Sequence, residues 1–195
     1  MDAKFQSSQT CINLMRAFAG ESQARNRYTF AAEQAKQQQL HVIEAVFKFT
    51  ADQEKEHAAL FYGELASLSG ETIAIDGTYP VNGSKELLTL LQDARHNEFE
   101  EHDPVYPGFA KIAAEEGYQK VANLFSMIAK IERTHGERFG MFADMLEQNR
   151  LFAEEKPTRW LCLNCGHIHE GTEAPRVCPV CAHAQGYFVR QTLAP

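Results

Sequence analysis

The sequence predicts an all-α four-helix bundle followed by a small C-terminal module that is held together by a metal ion. Apolar residues recur at helical spacing from residue 4 to about residue 149, and glycine and proline rarely interrupt them. Four of the five cysteines then lie within twenty residues near the C-terminus. We therefore assign the bundle to residues 1–150, a linker to 151–157 and the metal-bound module, made of loops and short strands, to 158–195.

Four helices are predicted in the bundle, and their connections define its topology. The helices are expected at 8–37, 40–68, 84–116 and 118–149. The outer two connections are short, and Gly117 is expected to end the third helix. The middle connection, 70–83, is long and rich in turn residues, with a short extended piece expected at 72–75. Pro104 and Pro107 should kink the third helix because each lacks a backbone donor. This is the connectivity of a four-helix bundle with one crossover.

Composition excludes several classes of partner. The net charge of -7 argues against binding nucleic acid and provides no basic face for a membrane surface. The first residues lack the pattern of a secretory signal, and no apolar stretch is long enough to span a bilayer. A cytoplasmic location is therefore predicted, where clustered cysteines indicate a metal site and not disulfides.

Each predicted helix has an inward-facing apolar seam that carries polar residues near its middle. The seam of the third helix, for example, runs from Leu87 through Leu91 and Ala94 towards Val105. The polar seam residues are, in chain order, Glu21, Glu54, His57, Glu98, Glu101, Glu132 and His135. Burying one unpaired carboxylate costs several kcal/mol. Five carboxylates in one core therefore require positive charge, which two metal ions would supply.

The spacing of these residues also fits metal ligation. Positions i and i+3 project from one helix face, so each Glu-x-x-His pair can reach one metal region. A Glu from each of two helices plus Glu-x-x-His from each of the other two is the pattern of carboxylate-bridged two-metal bundles. It occurs here twice in order, with 33 residues from Glu21 to Glu54 and 34 from Glu98 to Glu132. A single such pair usually belongs to a solvated face, but two pairs and two further Glu residues, all in seams, indicate a metal site. Carboxylate oxygens mixed with imidazole favour iron or manganese, with open positions for dioxygen or peroxide.

The C-terminal module contains two Cys-x-x-Cys knuckles. Cys162 and Cys165 form the first, and Cys178 and Cys181 form the second, twelve residues later. Two such knuckles create a tetrahedral four-thiolate site. Zinc would make this site structural and iron would make it a one-electron carrier, and the paired motif alone favours zinc.

Longer stretches around these motifs resemble a known family. They are AGESQARNRY around Glu21, ADQEKEH ending at His57, YPGFAKIAAEEGY after Glu101, and the CLNCG and CPVC knuckles with Trp160 before and Tyr187-Phe188 after them. Over nearly the whole chain the sequence resembles rubrerythrin. The resemblance implies a ferritin-like bundle with two non-haem iron ions, joined to a rubredoxin-like domain with one iron bound by four cysteines.

The resemblance also implies a role for each ligand. Two carboxylates bridge the irons, three residues are terminal ligands, and two exchange on one iron as its redox state changes. The bridging carboxylates are Glu54 and Glu132. The terminal ligands are Glu21, Glu98 and His135. The two residues that exchange are Glu101 and His57. Tyr28 and Tyr106 are either core aromatics or donors of the protons that the reaction needs.

The function that the resemblance implies is a non-haem di-iron peroxidase in oxidative stress defence. It would reduce hydrogen peroxide to water with electrons relayed through the four-cysteine iron from an upstream donor, such as rubredoxin or an NAD(P)H-dependent reductase. Thirty helical residues span about 45 Å, so a tail at one end of the bundle reaches a mid-bundle site best in a homodimer. The alternatives are a ferroxidase or iron-handling protein that uses dioxygen, and a non-enzymatic binding protein with a zinc ribbon.

Overall fold

The computed structural model describes residues 3–194, and its helices lie where the periodicity predicts them. They are α1 (Ala3–Gln6), α2 (Gln9–Gln37), α3 (His41–Glu64), α4 (Leu87–Glu100), α5 (Tyr106–Glu115) and α6 (Gln119–Glu147). A π-helical turn, Glu101–Val105, joins α4 to α5, so that these three elements form the third long helix of the bundle. The predicted all-α bundle with one crossover is confirmed. Among the described residues, no helix is long and apolar enough to cross a membrane.

The helix ends follow from local side-chain and backbone chemistry. The hydroxyl of Ser8 accepts the N–H of Cys11 at 3.1 Å, which caps the start of α2. The turn after α2 passes through Gln39 with a φ of 58°, and the turn after α5 passes through Gly117 with a φ of 89°. The predicted helix-ending role of Gly117 is therefore confirmed. Both turns are tight, so each long helix folds back antiparallel on its neighbour.

The bundle consists of two helical hairpins whose core is divided into two apolar layers. α2 packs along α3, and α4 with α5 packs along α6. One apolar layer surrounds Phe47 and Phe139, near the turn between α2 and α3. The other surrounds Phe61 and Phe125, at the opposite end. The polar seam residues lie between these layers, so the acidic centre is enclosed from both ends of the bundle.

The π turn changes which residues of the third helix face the core. The N–H of Tyr106 donates to the carbonyl of Glu101, five residues earlier, and Pro104 lies inside the widened turn. The predicted disruption at this proline is thus a one-residue insertion in the helix. Tyr106 is 1% exposed, whereas Val105 is only half-buried. Val105, which the sequence places in the seam, does pack against the apolar core but stays partly exposed, because the inserted residue rotates Tyr106 into the fully buried position.

The crossover between α3 and α4 is irregular from residue 71 to residue 86 apart from its attachment to the helices. The extended piece predicted at 72–75 is not a strand, because the segment lies on helices, which provide no strand edge for pairing. Side chains hold it instead. Arg16 pairs with Asp76, and Arg27 donates to the amide oxygen of Asn82 at 2.7 Å.

The C-terminal lobe is a three-stranded antiparallel sheet with strand order β2-β1-β3. The strands are β1 (Ala153–Cys162), β2 (Ile168–Glu173) and β3 (Phe188–Arg190). Residues 153–157, which were predicted as part of a linker, belong to the first half of β1, whose pairing with β2 is irregular between Ala153 and Thr158. The connection is therefore an extension of the sheet, and the domain boundaries themselves stay a prediction.

The lobe docks against the turn between α2 and α3. The rings of Tyr187 and His41 stack with centroids 3.9 Å apart. Arg190, which is buried, donates to the carbonyls of Arg150 at 2.5 Å and Ala153 at 2.9 Å. Gly186 lies so close to the turn that a Cβ built on it would be 1.8 Å from the carbonyl oxygen of Gln39. The absence of a side chain at this glycine is what allows the two backbones to touch.

We expect Gly186→Ala to weaken this docking, because backbone atoms of the turn cannot move aside as a flexible side chain would. Overpacking of this kind costs about 1–3 kcal/mol. Chemical denaturation should show the loss, and amide hydrogen exchange should show faster exchange in the α2–α3 turn. Gly108→Ala is the matched control, since a Cβ there meets nothing within 4 Å. Equal stability of the two variants would contradict the proposed backbone contact.

Candidate metal centres

The polar layer of the bundle contains six side chains that are almost fully buried. Its carboxylates come from all four long helices, and its imidazoles from α3 and α6. These residues are Glu21, Glu54, His57, Glu98, Glu132 and His135. His57 is 5% exposed and the others are 0% exposed. The folded chain thus brings together every predicted ligand except Glu101.

The six residues form two overlapping groups, each with ligand atoms that lie within 4.8 Å of one another. The first group is Glu21, Glu54, His57 and Glu132, and the second is Glu54, Glu98, Glu132 and His135. Two residues, Glu54 and Glu132, belong to both groups. Each group provides one histidine and one carboxylate of its own in addition to the shared pair.

Each shared carboxylate directs one oxygen to one half of the layer and its other oxygen to the other half. Nδ1 of His57 lies 3.0 Å from Glu54 Oε2 and 3.0 Å from Glu132 Oε1. Nδ1 of His135 lies 2.9 Å from the other oxygen of each carboxylate, Glu54 Oε1 and Glu132 Oε2. This is the geometry of carboxylates that bridge two cations, one beside each imidazole.

Several buried polar atoms of the layer have no hydrogen-bond partner among the described residues. They are Glu21 Oε2, Glu54 Oε1, Glu98 Oε2, both oxygens of Glu132 and both ring nitrogens of His135. Close approach without hydrogen-bond geometry means that these atoms face common points and not one another. Buried unsatisfied polar groups are costly, so ions at those points fit the donor set. The residues present therefore fit two metal ions.

The electrostatics of the layer lead to the same conclusion. Burial, with the nearby charges of Glu132 and Glu54, raises the pKa of Glu21 well above its usual range. Burial and the charge of Glu54 raise the pKa of Glu98 to about 8. Burial alone would lower the pKa of His57, but contacts with Glu132 and Glu54 raise it to about 9. Without metal ions, protons must therefore supply the positive charge, and metal binding releases them.

Two buried tyrosines hold the carboxylates that are not shared. The hydroxyl of Tyr28 donates to Glu98 Oε1, and the hydroxyl of Tyr106 donates to Glu21 Oε1. Burial raises the pKa of both phenols well above the usual value, so both remain protonated donors. Each tyrosine reaches across to the other hairpin, and so couples the two halves of the bundle.

Glu101 lies beside the layer and not within it. Its carboxylate is in neither group of converging ligand atoms, and it lines a cavity on the α2 side of the π turn. Burial and the charge of Glu98 raise the pKa of this carboxyl well above its ordinary value. The structure therefore places His57, and not Glu101, with the shared carboxylates.

Two arginines next to the layer were missed in the sequence. Arg138 donates to Thr50 Oγ1 at 3.2 Å and lies near Glu54 and Glu98, and the charge of Arg27 acts on Glu101. Arg138 comes three residues after His135, and this helical spacing could have placed it next to the layer. His102, in the π turn, is half-buried with Nδ1 2.7 Å from the carbonyl oxygen of Ala129.

The four cysteines of the lobe converge as the sequence predicts. Sγ of Cys162 lies 3.8 Å from that of Cys181, and Sγ of Cys165 lies 3.7 Å from that of Cys178. Sulfurs bound at about 2.3 Å to one tetrahedral ion are about 3.8 Å apart, so these separations fit a four-thiolate site. Both knuckles close with equivalent bonds, in which the N–H four residues after the first cysteine donates to its carbonyl at 2.9 Å.

Comparisons with known proteins agree with both centres. The family model for rubrerythrin matches residues 13–143, and the model for the rubrerythrin rubredoxin-like domain matches residues 160–189. The chain belongs to the rubrerythrin family. It is 44% identical over 182 residues to a rubrerythrin of Clostridium perfringens and 42% identical over 181 residues to one of Nitratidesulfovibrio vulgaris, with 93% of each chain covered in both cases.

Solved structures show the same architecture. The mixed-valence state of nigerythrin matches with a TM-score of 0.63 and 28% identity, covering 94% of this chain and 90% of that one. A bacterioferritin of Desulfovibrio desulfuricans matches with a TM-score of 0.67 at 21% identity, which supports the fold alone. This rubrerythrin-family chain is therefore an oxidoreductase with a ferritin-like di-iron site and a rubredoxin-like four-cysteine cluster.

We expect Glu132→Ala to lower the iron content from about three to about one per chain, because Glu132 belongs to both groups of converging ligand atoms and directs one oxygen to each half of the layer. Cys178→Ser should leave about two irons and abolish the thiolate-to-iron absorption bands, because the tail iron needs four thiolates. Elemental analysis and visible spectra measure both effects. Glu137→Ala is the control, since its carboxylate forms only an exposed ion pair with Arg133. Retention of all three irons by Glu132→Ala would contradict the shared-ligand geometry.

Proposed function

We propose that this oxidoreductase reduces hydrogen peroxide to water, with electrons relayed through its four-cysteine iron, in oxidative stress defence. The main support is the presence of a two-metal centre and a one-electron thiolate centre in the same chain. Reduction of one peroxide needs two electrons and two protons and yields two water molecules. A pair of ferrous ions matches that requirement in one turnover. The proposed compartment is the cytoplasm, where the four thiols remain reduced.

The proposed ligand set follows the two groups of converging atoms. Glu54 and Glu132 would bridge the two ions, because each directs its oxygens to different halves of the layer. Glu21 and His57 would hold one ion, and Glu98 and His135 would hold the other. We further propose that Glu101 replaces His57 when the centre is oxidised, since it is the additional acidic group beside that half. This exchange would be a movement of side chains on two different helices.

The residues around the centre hold and deliver protons. When bound, the two ferrous ions would supply two electrons and act as Lewis acids towards the peroxide oxygens. Tyr106 Oη holds a proton against Glu21 Oε1, and Tyr28 Oη holds one against Glu98 Oε1. The raised pKa of Glu101 makes it a proton carrier at the edge of the site. These groups place transferable protons next to both halves of the centre, where the two water molecules must form.

We expect the fully reduced protein to be oxidised by one equivalent of hydrogen peroxide per di-iron centre at least tenfold faster than by dioxygen. Anaerobic stopped-flow absorbance measures both rates. Cys178→Ser should keep the first turnover, because the two electrons come from the bundle, but should lose sustained turnover with an electron donor. Faster oxidation by dioxygen would favour the ferroxidase alternative, and zinc in the tail would favour the zinc-ribbon alternative.

The surface next to His57 supports a homodimer in which the tail of one subunit serves the centre of the other. His57 lines an open depression of about 690 Å³ together with Phe49 and Ile131. Its other lining residues are polar or charged, namely Asp52, Gln53, Lys55 and Glu56. Leu60 of α3 and Met127 of α6 are further exposed apolar residues of the two helices that line it. His41, where the subunit's own lobe docks, precedes His57 by sixteen residues in α3, or about 24 Å of helix. The lobe is thus held away from its own centre.

The tip of the lobe is suited to cover that depression. Val177 and Val180, next to the second cysteine knuckle, are 58% and 68% exposed. Cys165 is also exposed, so the cluster itself reaches the surface. We pair this apolar tip with the exposed apolar residues near His57 of a second copy. Electrons then pass between subunits, and the upstream donor meets the lobe from its other side.

We expect Met127→Asp to weaken the dimer at least tenfold, or about 1.4 kcal/mol, because it places a charge among these exposed apolar residues. Analytical ultracentrifugation at several concentrations measures the dissociation constant. Reduction of the di-iron centre by the tail iron should slow in parallel. Phe30→Asp is the control, since Phe30 is an exposed apolar residue of α2. A monomeric parent protein with full turnover would contradict the arrangement.

A further inference from the structure

The metal centre approaches the surface at two places, and the second has no role in the function proposed so far. One is the depression beside His57, which we assign to the partner's lobe. The other is a cavity of about 390 Å³ on the opposite helices, lined by α2, the π turn and the crossover. Glu101 and Tyr106 form its inner wall, and Tyr79 and Pro80 belong to its outer wall. The cavity therefore connects the crossover with residues that adjoin the centre.

The roof of this cavity is an irregular segment held by polar contacts. The hydroxyl of Tyr79 donates to the backbone carbonyl of Arg16 at 3.1 Å. Asp76, three residues earlier, pairs with the guanidinium of Arg16. Asn82, three residues later, accepts from Arg27 at 2.7 Å and from Asn97 at 3.0 Å. Residues 76–82 are thus anchored at both ends, and the ring of Tyr79 is held between the anchors.

Gly20 separates the roof from the inner wall. A Cβ at this position would be 3.8 Å from Tyr79 Cε1 and 3.9 Å from Glu101 Oε1, which are ordinary van der Waals distances. Alanine would therefore fit, and packing alone does not require glycine. Glycine inside a helix costs about 0.5–1 kcal/mol relative to alanine. In return for this cost, Gly20 leaves open space between the ring of Tyr79 and the carboxylate of Glu101.

We propose that hydrogen peroxide enters through this cavity, and that Tyr79 and Gly20 limit entry to small hydroperoxides. This inference rests on the proposed peroxidase function. The route ends at Glu101, which lines the inner wall beside the centre. Hydrogen peroxide is small and both donates and accepts hydrogen bonds, so the polar groups of a mixed wall, among them Gln23, Arg27 and Asn97, can bind it as it passes. Entry on this side also leaves the His57 side free for a partner subunit throughout turnover.

Access can be measured without any peroxide chemistry. In the iron-loaded Gly20→Cys variant, the introduced thiol should react with methyl methanethiosulfonate and much more slowly with a benzyl analogue. Adding Tyr79→Ala should raise the benzyl rate at least tenfold. Peptide mass spectrometry identifies the modified thiol, and Cys11, which is fully buried, is the internal unreactive control. An introduced thiol that is inert to both reagents would overturn the route.

Substrate size provides the second readout. Gly20→Leu should lower the rate constant for oxidation by hydrogen peroxide at least tenfold, whereas Gly63→Leu, at an open helical site, should not. Tyr79→Ala should raise the rate with cumene hydroperoxide, which is reduced to its alcohol and water, at least fivefold relative to hydrogen peroxide. If Gly20→Leu kept the parent rate with hydrogen peroxide, the entry route would be overturned but the proposed peroxidase function would not. A parent protein that does not consume peroxide would overturn the proposed function, and the proposed substrate of the route with it.

Discussion

The structure depends on one electrostatic constraint: carboxylates from all four long helices are buried in one layer of the bundle. Each buried carboxylate without a partner costs several kcal/mol, whereas a whole domain is stable by only about 5–15 kcal/mol. The two apolar layers on either side therefore cannot stabilise the fold unless cations or protons occupy the middle. This constraint explains why Tyr28 and Tyr106 donate to carboxylates across the hairpins, and why so many oxygens in the layer face common points. Metal binding and folding are thus coupled in this bundle.

The π turn makes the positions of the two tyrosines equivalent, although the two halves of the centre differ in their carboxylates. Tyr28 follows Glu21 by seven residues, whereas the equivalent Tyr106 follows Glu98 by eight. The residue inserted by the π turn restores the equivalence, so that each tyrosine donates to the carboxylate of the other hairpin. Three residues after Glu98 comes Glu101, but three residues after Glu21 comes a buried alanine. The pseudo-twofold axis is therefore broken at this pair, because the third helix has an additional carboxylate, next to a cavity, where α2 has an alanine.

The sequence predicts the parts of the structure that depend on one helix at a time. Glu54 with His57 and Glu132 with His135 could be recognised because i and i+3 share a helix face, and the knuckle cysteines because their spacing is local. The errors concern features that depend on tertiary neighbours. The periodicity does not show that Tyr106 is buried more deeply than Val105, because a one-residue insertion leaves no mark in it. The sequence predicts a linker where the first half of β1 lies, because its partner β2 follows only after the first knuckle.

The position of the C-terminal lobe determines which surfaces of its own bundle it can contact. Gly186 brings the lobe's backbone against the α2–α3 turn, where Tyr187 stacks on His41, and Arg190 donates to the carbonyls of Arg150 and Ala153, which follow α6. A lobe docked at one end of the bundle lies away from its own centre in mid-bundle, so the proposed electron relay would run from the exposed knuckle to a second subunit. In that proposed dimer the face beside His57 would be covered by protein, which would leave the side of Glu101 for a small substrate.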